Sequence, residues 1–256
     1  KEIRKINSEL NTNTSILADL QGPKLRIGEI IEGTSLDVGS ELKIKTGKEF
    51  VGDNKVIFIN YKNLPKDITE GEKILIDDGK IILKVIDTNK KDQIKTEVIQ
   101  GGEISSNKGF NLPNTNISQP ALTDKDVEDA IFSAKQNVDW IALSFVRHVS
   151  DVKSLIELIE KNTDHRIPVI AKIEKPEGVK NIDEIMKHAS GIMVARGDLG
   201  VEIDAAEVPL IQKKLVYKAK KARIPVIIAT QMMESMMESM NPNRAEVNDV
   251  ANSVMD

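Results

Sequence analysis

The second part of the sequence alternates short apolar runs with amphipathic stretches, and this alternation limits the folds that the chain can adopt. After Pro120 the apolar runs occupy residues 140–146, 167–174, 191–198 and 224–231. Such runs are typical of strands buried on both faces, and the stretches between them carry apolar residues at helical spacing. Thr123, with Asp126 three positions later, predicts a helix start. With a further buried strand predicted at residues 15–20, the pattern indicates βαβ units and a parallel sheet.

An inserted segment, residues 28–113, has a different pattern. Apolar and polar residues alternate in runs such as residues 41–45, which is typical of half-buried antiparallel strands. Asp78-Gly79 lies between two such runs and predicts a hairpin turn. We therefore expect a β-rich module at residues 28–113 that interrupts an α/β domain made of residues 1–27 and 114–256.

Composition excludes several classes of function. The sequence contains no cysteine, which excludes disulfides, thiolate zinc sites and cysteine nucleophiles. An aromatic content of 3% and a net charge of −4 argue against a nucleic-acid partner. No apolar run is long enough to span a membrane, and the first residues lack a signal-peptide pattern, so we expect a cytoplasmic protein with no membrane partner. The missing initiator Met and the abrupt end predict that both ends lie inside a longer protein.

The predicted strands end in polar residues, and these residues are the candidates for chemistry. They are Asp19, Ser144, Lys172 with Glu174, Arg196 with Asp198, and Thr230 with Gln231. The carboxyl ends of parallel strands share one edge of a sheet, where α/β proteins place their active sites. Any one of these residues could instead cap a helix or lie in a solvated turn. Their occurrence at five strand ends favours a site.

A divalent metal site is predicted at Glu174 and Asp198, which come from the ends of consecutive strands. Two convergent carboxylates suit Mg²⁺, which binds one or two protein carboxylates and fills its remaining positions with water and substrate oxygens. Lys172 lies two residues before Glu174, so both side chains point the same way. A buried Lys172–Glu174 ion pair that holds two strands together is the alternative. His165 and His188 are outside this group, so a histidine zinc site is not expected.

Two further features suggest contacts with anions. Arg196-Gly197-Asp198-Leu199-Gly200 places glycines around a carboxylate, which allows backbone N–H groups to approach an anion or simply forms a tight turn. Lys24, Arg26 and Lys108 lie where the β-rich module leaves and rejoins the main domain. Cations at these junctions are expected either to face a phosphate beneath a lid or to be solvated surface charges.

Taken together, eight segments resemble the pyruvate kinase family. They are ADLQGPKLRIG, KGFNLP, ALTDKD, LSFVR, AKIEKPEGV, GIMVARGDLGVEI, PVIIATQMMESM and NRAEVNDVAN. The match runs from about residue 14 to residue 256, and the order of the last segments is highly specific. The resemblance implies an α/β fold, a partial (β/α)8 TIM barrel interrupted by an inserted small β-barrel lid. It also implies that the chain holds barrel strands three to seven, with further strands on either side, so that the chain alone is expected to be inactive.

The reaction that the resemblance implies is phosphoryl transfer from phosphoenolpyruvate to ADP, which gives pyruvate and ATP in the last step of glycolysis. Glu174 and Asp198 are then expected to hold Mg²⁺ (or Mn²⁺), and Lys172 to stabilise charge on the transferred phosphoryl group. Phosphoryl transfer relies on positioning and charge neutralisation rather than on a protein nucleophile, which agrees with the residues present. The resemblance also implies a homotetramer.

The remaining site residues are assigned by the same resemblance. Gly197 and Asp198, through their backbone N–H groups, and the Thr230 hydroxyl are expected to bind the substrate carboxylate, with Thr230 also near the enolate face that is protonated. Ser144 is a further expected substrate contact. Arg26 and Lys108 are expected to bind the nucleotide phosphates.

A monovalent-cation site is implied at Asp19, but the neighbouring residues depart from the commonest family pattern. Most pyruvate kinases that require K⁺ carry Thr and Glu where this chain has Leu20 and Lys24. Leu20 offers no ligand oxygen, and the Lys24 ammonium would supply the charge that K⁺ otherwise brings. The sequence resembles the K⁺-independent subgroup, so K⁺ is not expected to be required.

Two alternatives stay open at this point. An aldolase or lyase of the phosphoenolpyruvate/pyruvate barrel class also uses a Glu/Asp metal pair, although the inserted module and the GPKLR segment argue against it. The other alternative is an inactive fragment of the kinase.

Overall fold

The computed structural model describes residues 1–113 and 115–256 and divides into two compact units. The α/β unit comprises residues 1–22, 121–196 and 209–256, and the β unit comprises residues 23–120 and 197–208. The domain boundaries predicted from the sequence, 27/28 and 113/114, lie a few residues from these divisions and stay a prediction. Residue 114, at the second boundary, is outside the described residues.

The strands occur in the following order. They are β1 (Leu17–Asp19), β2 (Ser35–Leu36), β3 (Glu41–Lys45), β4 (Val56–Phe58), β5 (Lys73–Ile76), β6 (Ile81–Thr88), β7 (Gln93–Gln100), β8 (Gly102–Glu103), β9 (Phe110–Asn111), β10 (Trp140–Leu143), β11 (Val169–Ile173), β12 (Gly191–Ala195) and β13 (Val226–Ala229).

The α-helices occur in the following order. They are α1 (Glu2–Leu10), α2 (Leu64–Asp67), α3 (Asp124–Lys135), α4 (Val149–Asn162), α5 (Pro176–Lys180), α6 (Ile182–Ile185), α7 (Arg196–Glu202), α8 (Val208–Ala222) and α9 (Arg244–Met255). None of the described helices is both long and apolar enough to cross a membrane.

The α/β unit is built on a five-stranded sheet in the order β1-β10-β11-β12-β13, and all four pairings are parallel. The predicted parallel sheet is therefore confirmed. Strands β10, β11 and β12 are almost wholly buried, as their apolar sequences predict. The prediction of a buried strand at residues 15–20 is wrong in two respects, because β1 is shorter and Leu17 and Asp19 are exposed. Within the described residues β1 pairs only with β10 and so lies at a sheet edge.

Helix α3 begins as the sequence predicts. The Thr123 hydroxyl accepts a hydrogen bond from the Asp126 N–H at 3.2 Å, and the Asp126 carboxylate accepts one from the Thr123 N–H at 2.9 Å. Asp126 also accepts a hydrogen bond from the Gly22 N–H at 3.0 Å and is fully buried. This carboxylate therefore caps a helix and at the same time holds the segment that follows β1.

The β unit contains a six-stranded sheet in the order β4-β3-β7-β6-β5-β9. In β3 buried and exposed residues alternate, which confirms the predicted period of two. Strands β5 and β6 form the predicted hairpin, and Asp77, Asp78 and Gly79 in its loop all have positive φ. The expectation of purely antiparallel strands is wrong for β3 and β4, which pair in parallel. A core of isoleucines and leucines, among them Leu42, Ile44 and Ile74, fills one side of the sheet.

The strand predicted at residues 191–198 ends earlier than expected. Strand β12 ends at Ala195, and α7 begins at Arg196. Asp198 is therefore in the first turn of a helix, where a carboxylate interacts favourably with the positive end of the helix dipole. The sequence passes from the strand into the helix without an intervening turn residue. Composition alone therefore could not show where β12 ends and α7 begins.

Candidate active site

Lys172, on β11, is at the centre of a charged cluster at the carboxyl ends of three adjacent strands. Its ammonium Nζ is 3.1 Å from Asp19 Oδ1, 2.9 Å from Ser144 Oγ and 3.3 Å from Glu174 Oε1. Asp19 ends β1, and Ser144 follows β10, which pairs with both β1 and β11. The parallel register therefore joins side chains that are far apart in the sequence, as predicted for a shared sheet edge.

The electrostatic balance keeps Lys172 charged. Burial acts to lower the pKa of the ammonium group, but the negative charges of Glu174 and Asp19 act in the opposite direction. The carboxylates outweigh burial, so the pKa of Lys172 is raised above its usual value. An ammonium group that stays charged throughout the neutral range can interact with a phosphoryl group that develops negative charge.

Glu174 is the most deeply buried acid of this cluster. Its side chain is 1% exposed, one carboxylate oxygen is paired with Lys172, and the other accepts a hydrogen bond from the Phe145 N–H at 2.5 Å. The ion pair that the sequence offered as an alternative to a metal site is thus present. A carboxylate held in this way is also a ligand of the type that Mg²⁺ prefers, so the residues fit the predicted ion.

Thr230 follows β13 and is exposed at the same edge of the α/β sheet. Its main chain is held by Arg196, which donates to the Thr230 carbonyl oxygen at 2.8 Å. The Arg196 guanidinium also forms a bidentate pair with Asp249, at 2.5 and 2.8 Å. A bidentate pair of this type fixes the guanidinium in one orientation. Arg196 was predicted at a strand end and in a glycine motif, but nothing in the sequence indicated Asp249 as its partner.

Gly197 and Asp198 are in the first turn of α7 and belong to the β unit. Glu174 belongs to the α/β unit, so the convergence of Glu174 and Asp198 on one metal ion stays a prediction. The same applies to the predicted binding of one substrate by Asp198 and Thr230.

Arg26 and Lys108 are brought together within the β unit. Arg26 pairs with Gly109 in an antiparallel bridge, and its guanidinium donates to the Asn107 carbonyl oxygen at 2.6 Å. The Lys108 ammonium is 3.0 Å from a carboxylate oxygen of Asp77 in the β5–β6 hairpin. The sequence predicted these two cations as a pair, but nothing in it indicated Asp77 as a partner.

Lys24 and Asp19 have different surroundings. Lys24 has an exposed side chain in the β unit, and its carbonyl oxygen accepts a hydrogen bond from the Asn60 amide at 2.9 Å. Asp19 is in the α/β unit, where it pairs with a protein cation, Lys172. This pairing between Asp19 and Lys172 was not indicated by the sequence.

His165 and His188 do not enter the Lys172 cluster, in agreement with the sequence. Both line a separate cavity of about 580 Å³ near the amino end of β11, together with Arg166, Glu160 and several isoleucines. Among the described residues no group of three or more His, Asp or Glu side chains is arranged to hold a metal ion.

Comparisons with known proteins point to one family. A family model described as "Pyruvate kinase, barrel domain" matches residues 1–256. The chain is 46% identical to a pyruvate kinase of Corynebacterium efficiens and 42% identical to one of Mycobacterium tuberculosis, and in both cases the match covers 100% of this chain and 54% of the relative. A crystal structure of a pyruvate kinase from Cryptosporidium parvum superposes with a TM-score of 0.92 at 38% identity, covering 99% of this chain and 53% of that one.

These matches confirm the fold class predicted from the sequence, a partial (β/α)8 barrel interrupted by a small β domain. The chain spans about half the length of the curated relatives that it matches. Because the family model covers every residue of the sequence, the chain belongs to the pyruvate kinase family and carries its barrel domain.

Proposed function

We propose that the protein containing this chain transfers the phosphoryl group of phosphoenolpyruvate to ADP, which gives pyruvate and ATP in the last step of glycolysis. The observation that carries the proposal is the Lys172 cluster, in which a charged ammonium group and two carboxylates meet at the carboxyl ends of β1, β10 and β11. The reaction needs a cation fixed beside the transferred group and anionic ligands for a metal, and it needs no protein nucleophile.

In this proposal Lys172 acts on the transferred phosphoryl group. Its ammonium is held by partners on three sides, so it would interact with the developing charge without first having to reorient. Glu174, together with Asp198, would hold Mg²⁺ (or Mn²⁺). When bound, the ion supplies Lewis-acid stabilisation of the enolate and phosphoryl oxygens.

Thr230 and the start of α7 would bind the carboxylate of the substrate. Gly197 and Asp198 would contribute backbone N–H groups, and Thr230 its hydroxyl group. Arg196 supports this role because it fixes the Thr230 main chain and is itself fixed by Asp249. Thr230 would also lie beside the enolate face that receives a proton.

Arg26 and Lys108 would bind the phosphates of ADP and ATP. Their positions on paired segments of the β unit support this role, since both cations come from one small region. Asp19 and Lys24 would form a monovalent-cation site in which Lys24 replaces K⁺, so K⁺ would not be required. We further propose a homotetramer in the cytoplasm.

A direct assay tests the reaction. The purified protein that contains this chain is incubated with phosphoenolpyruvate, ADP and Mg²⁺, and pyruvate and ATP are measured separately. We expect equal amounts of both products and no pyruvate when ADP is omitted. Pyruvate release without ADP would contradict the proposal, because the phosphoryl group would then pass to water and not to ADP.

A further inference from the structure

We infer that Ser144 is a positioning residue, whose hydroxyl group orients the Lys172 ammonium from the buried side of the site and does not itself bind substrate. This inference rests on the proposed function and replaces the substrate contact expected for Ser144 from the sequence. It is based on the hydrogen bonds and the solvent exposure of the residues around Lys172.

The single hydrogen of the Ser144 hydroxyl group is used within the protein. It donates its hydrogen to the Leu20 carbonyl oxygen at 2.7 Å and accepts a hydrogen bond from Lys172 Nζ at 2.9 Å. A hydroxyl group has a single hydrogen to donate, so Ser144 could donate to a substrate oxygen only by leaving Leu20 unsatisfied. Ser144 is 2% exposed, and a buried carbonyl oxygen without a partner costs free energy.

The three partners of Lys172 differ sharply in their access to solvent. Glu174 and Ser144 are 1% and 2% exposed, whereas the side chain of Asp19 is 52% exposed. A phosphoryl group can approach the ammonium only from the open side, where Asp19 lies. Asp19 is therefore the partner that an incoming anion replaces, and Ser144 and Glu174 are the partners that keep the ammonium in place.

A neutral partner on the buried side has an electrostatic advantage. Lys172 already faces two carboxylates, and a third would bind the ammonium more tightly without leaving charge available for a substrate. A hydroxyl group can accept a hydrogen bond and adds no net charge. Ser144 can therefore fix the direction of the ammonium while leaving its charge to act on the transferred group.

The surrounding backbone holds Ser144 in place. Ser144 lies between β1 and β11, because β10 pairs with both strands. Gly22 packs so closely that a Cβ atom added to it would be 2.8 Å from Ser144 Cβ. This close approach requires glycine at position 22, and serine at position 144 can both donate and accept a hydrogen bond.

The test compares Ser144→Ala and Ser144→Cys with Ser133→Ala, a control at another buried serine, in helix α3. We expect kcat to fall about 10- to 100-fold in both Ser144 variants, the range that corresponds to a hydrogen bond to a charged group. KM for phosphoenolpyruvate should stay near its original value, and the control should be unchanged. Cysteine has the shape of serine with a somewhat larger terminal atom and hydrogen-bonds only weakly, so it separates hydrogen bonding from the loss of packing if the alanine variant folds poorly.

A second measurement does not depend on turnover. Reductive methylation followed by mass spectrometry gives the rate at which Lys172 is modified relative to exposed lysines. We expect faster modification of Lys172 in both Ser144 variants and no change in Ser133→Ala. If the unmutated protein makes no pyruvate, the proposed function fails and the labelling still tests Ser144. An unchanged kcat and labelling rate, or a raised KM with kcat unchanged, would overturn the positioning role.

Discussion

Lys172 shows how one side chain can combine charge with a fixed position. Its ammonium group has three partners from three strand ends, and its pKa is raised although burial acts against the charged form. In the protein containing this chain, Lys172→Met should lower kcat by about 10²–10³, the typical loss for one electrostatic contact in the transition state. KM for phosphoenolpyruvate should change far less, because the interaction is strongest in the transition state. Steady-state kinetics measures both constants.

The matched control is Lys161→Met, at an exposed lysine in the last turn of α4. It makes the same chemical change away from the sheet edge and should leave kcat and KM unaltered. A Lys172→Met enzyme that differs from the original only in KM would remove Lys172 from the chemical step.

Single residues also show what could be predicted without coordinates. The contact between Lys172 and Glu174 follows from the period of two along a strand, and the sequence predicted it. The contacts of Lys172 with Asp19 and Ser144 depend on the register of three strands, which no local pattern specifies. The pair of Arg196 with Asp249 joins the first residue of α7 to α9, and only the packing of α9 brings them together.

Among the elements, helix α3 depends on the buried carboxylate of Asp126. Asp126→Asn replaces an acceptor oxygen with an amide that faces N–H donors from Thr123 and Gly22. The free energy of unfolding should fall by about 2 kcal/mol, as for a buried hydrogen-bonded group that loses a partner. Denaturant titration followed by circular dichroism measures this change.

Asp124→Asn is the control for this prediction, because Asp124 is in the same first turn but exposed. It should cost less than about 1 kcal/mol, the usual size of an interaction with the helix dipole. Equal losses of unfolding free energy in the two variants would show that the hydrogen bond from the Gly22 N–H to Asp126 contributes nothing to stability.

The β5–β6 hairpin has a pH-dependent ion pair. A hydrogen bond from Lys80 and, with a smaller effect, one from Lys108 hold the pKa of Asp77 below its usual value. The contribution of this carboxylate to stability is therefore complete above its unfolded pKa, about 3.9, and is lost as the pH falls through the lower folded pKa. Asp77→Asn should lower stability at pH 7 by about 0.5–1 kcal/mol, since the side chain of Lys80 is largely solvated and that of Lys108 is partly solvated.

Thermal unfolding between neutral pH and about pH 2 checks this prediction. Below the usual pKa of an aspartate, the curves of the original protein and of Asp77→Asn should converge. Asp78→Asn is the control in the same loop, and this variant should still lose stability as the pH falls. A constant difference between Asp77→Asn and the original protein across this range would contradict the assignment.

The secondary-structure elements were predictable where one local signal was sufficient. Alternating burial identified β3, and the Asp78-Gly79 turn identified the hairpin. The end of β12 was missed because the sequence passes directly into α7 without a turn residue. The parallel pairing of β3 with β4 was missed because direction depends on the path of the connecting chain and not on strand composition.

At the scale of the whole molecule, the proposed independence from K⁺ can be tested by exchanging one charge. Activity should be similar in tetramethylammonium and potassium salts, because the Lys24 ammonium would provide the positive charge. Lys24→Glu should be weakly active in tetramethylammonium salt and should recover when K⁺ is added. The assay measures pyruvate formation at constant ionic strength.

Lys62→Glu is the control for charge reversal at another exposed lysine of the β unit. Its activity should be similar in tetramethylammonium and potassium salts. A large rise in the rate of the unmutated enzyme on addition of K⁺ would contradict the prediction.

The bridge between Arg26 and Gly109 also has a consequence for how the chain folds. Ser144 and Leu20, which join the ends of neighbouring strands β10 and β1, are 124 positions apart, so their pairing closes a very long loop. The bridge brings the two ends of the inserted segment together, so a much shorter loop remains to be closed when β1 pairs with β10. Loop-closure entropy grows with the logarithm of length, so forming the bridge first saves about 1 kcal/mol when β1 pairs with β10. An insertion that closes on itself can thus interrupt a parallel sheet with a smaller entropic penalty for pairing the strands on either side of it.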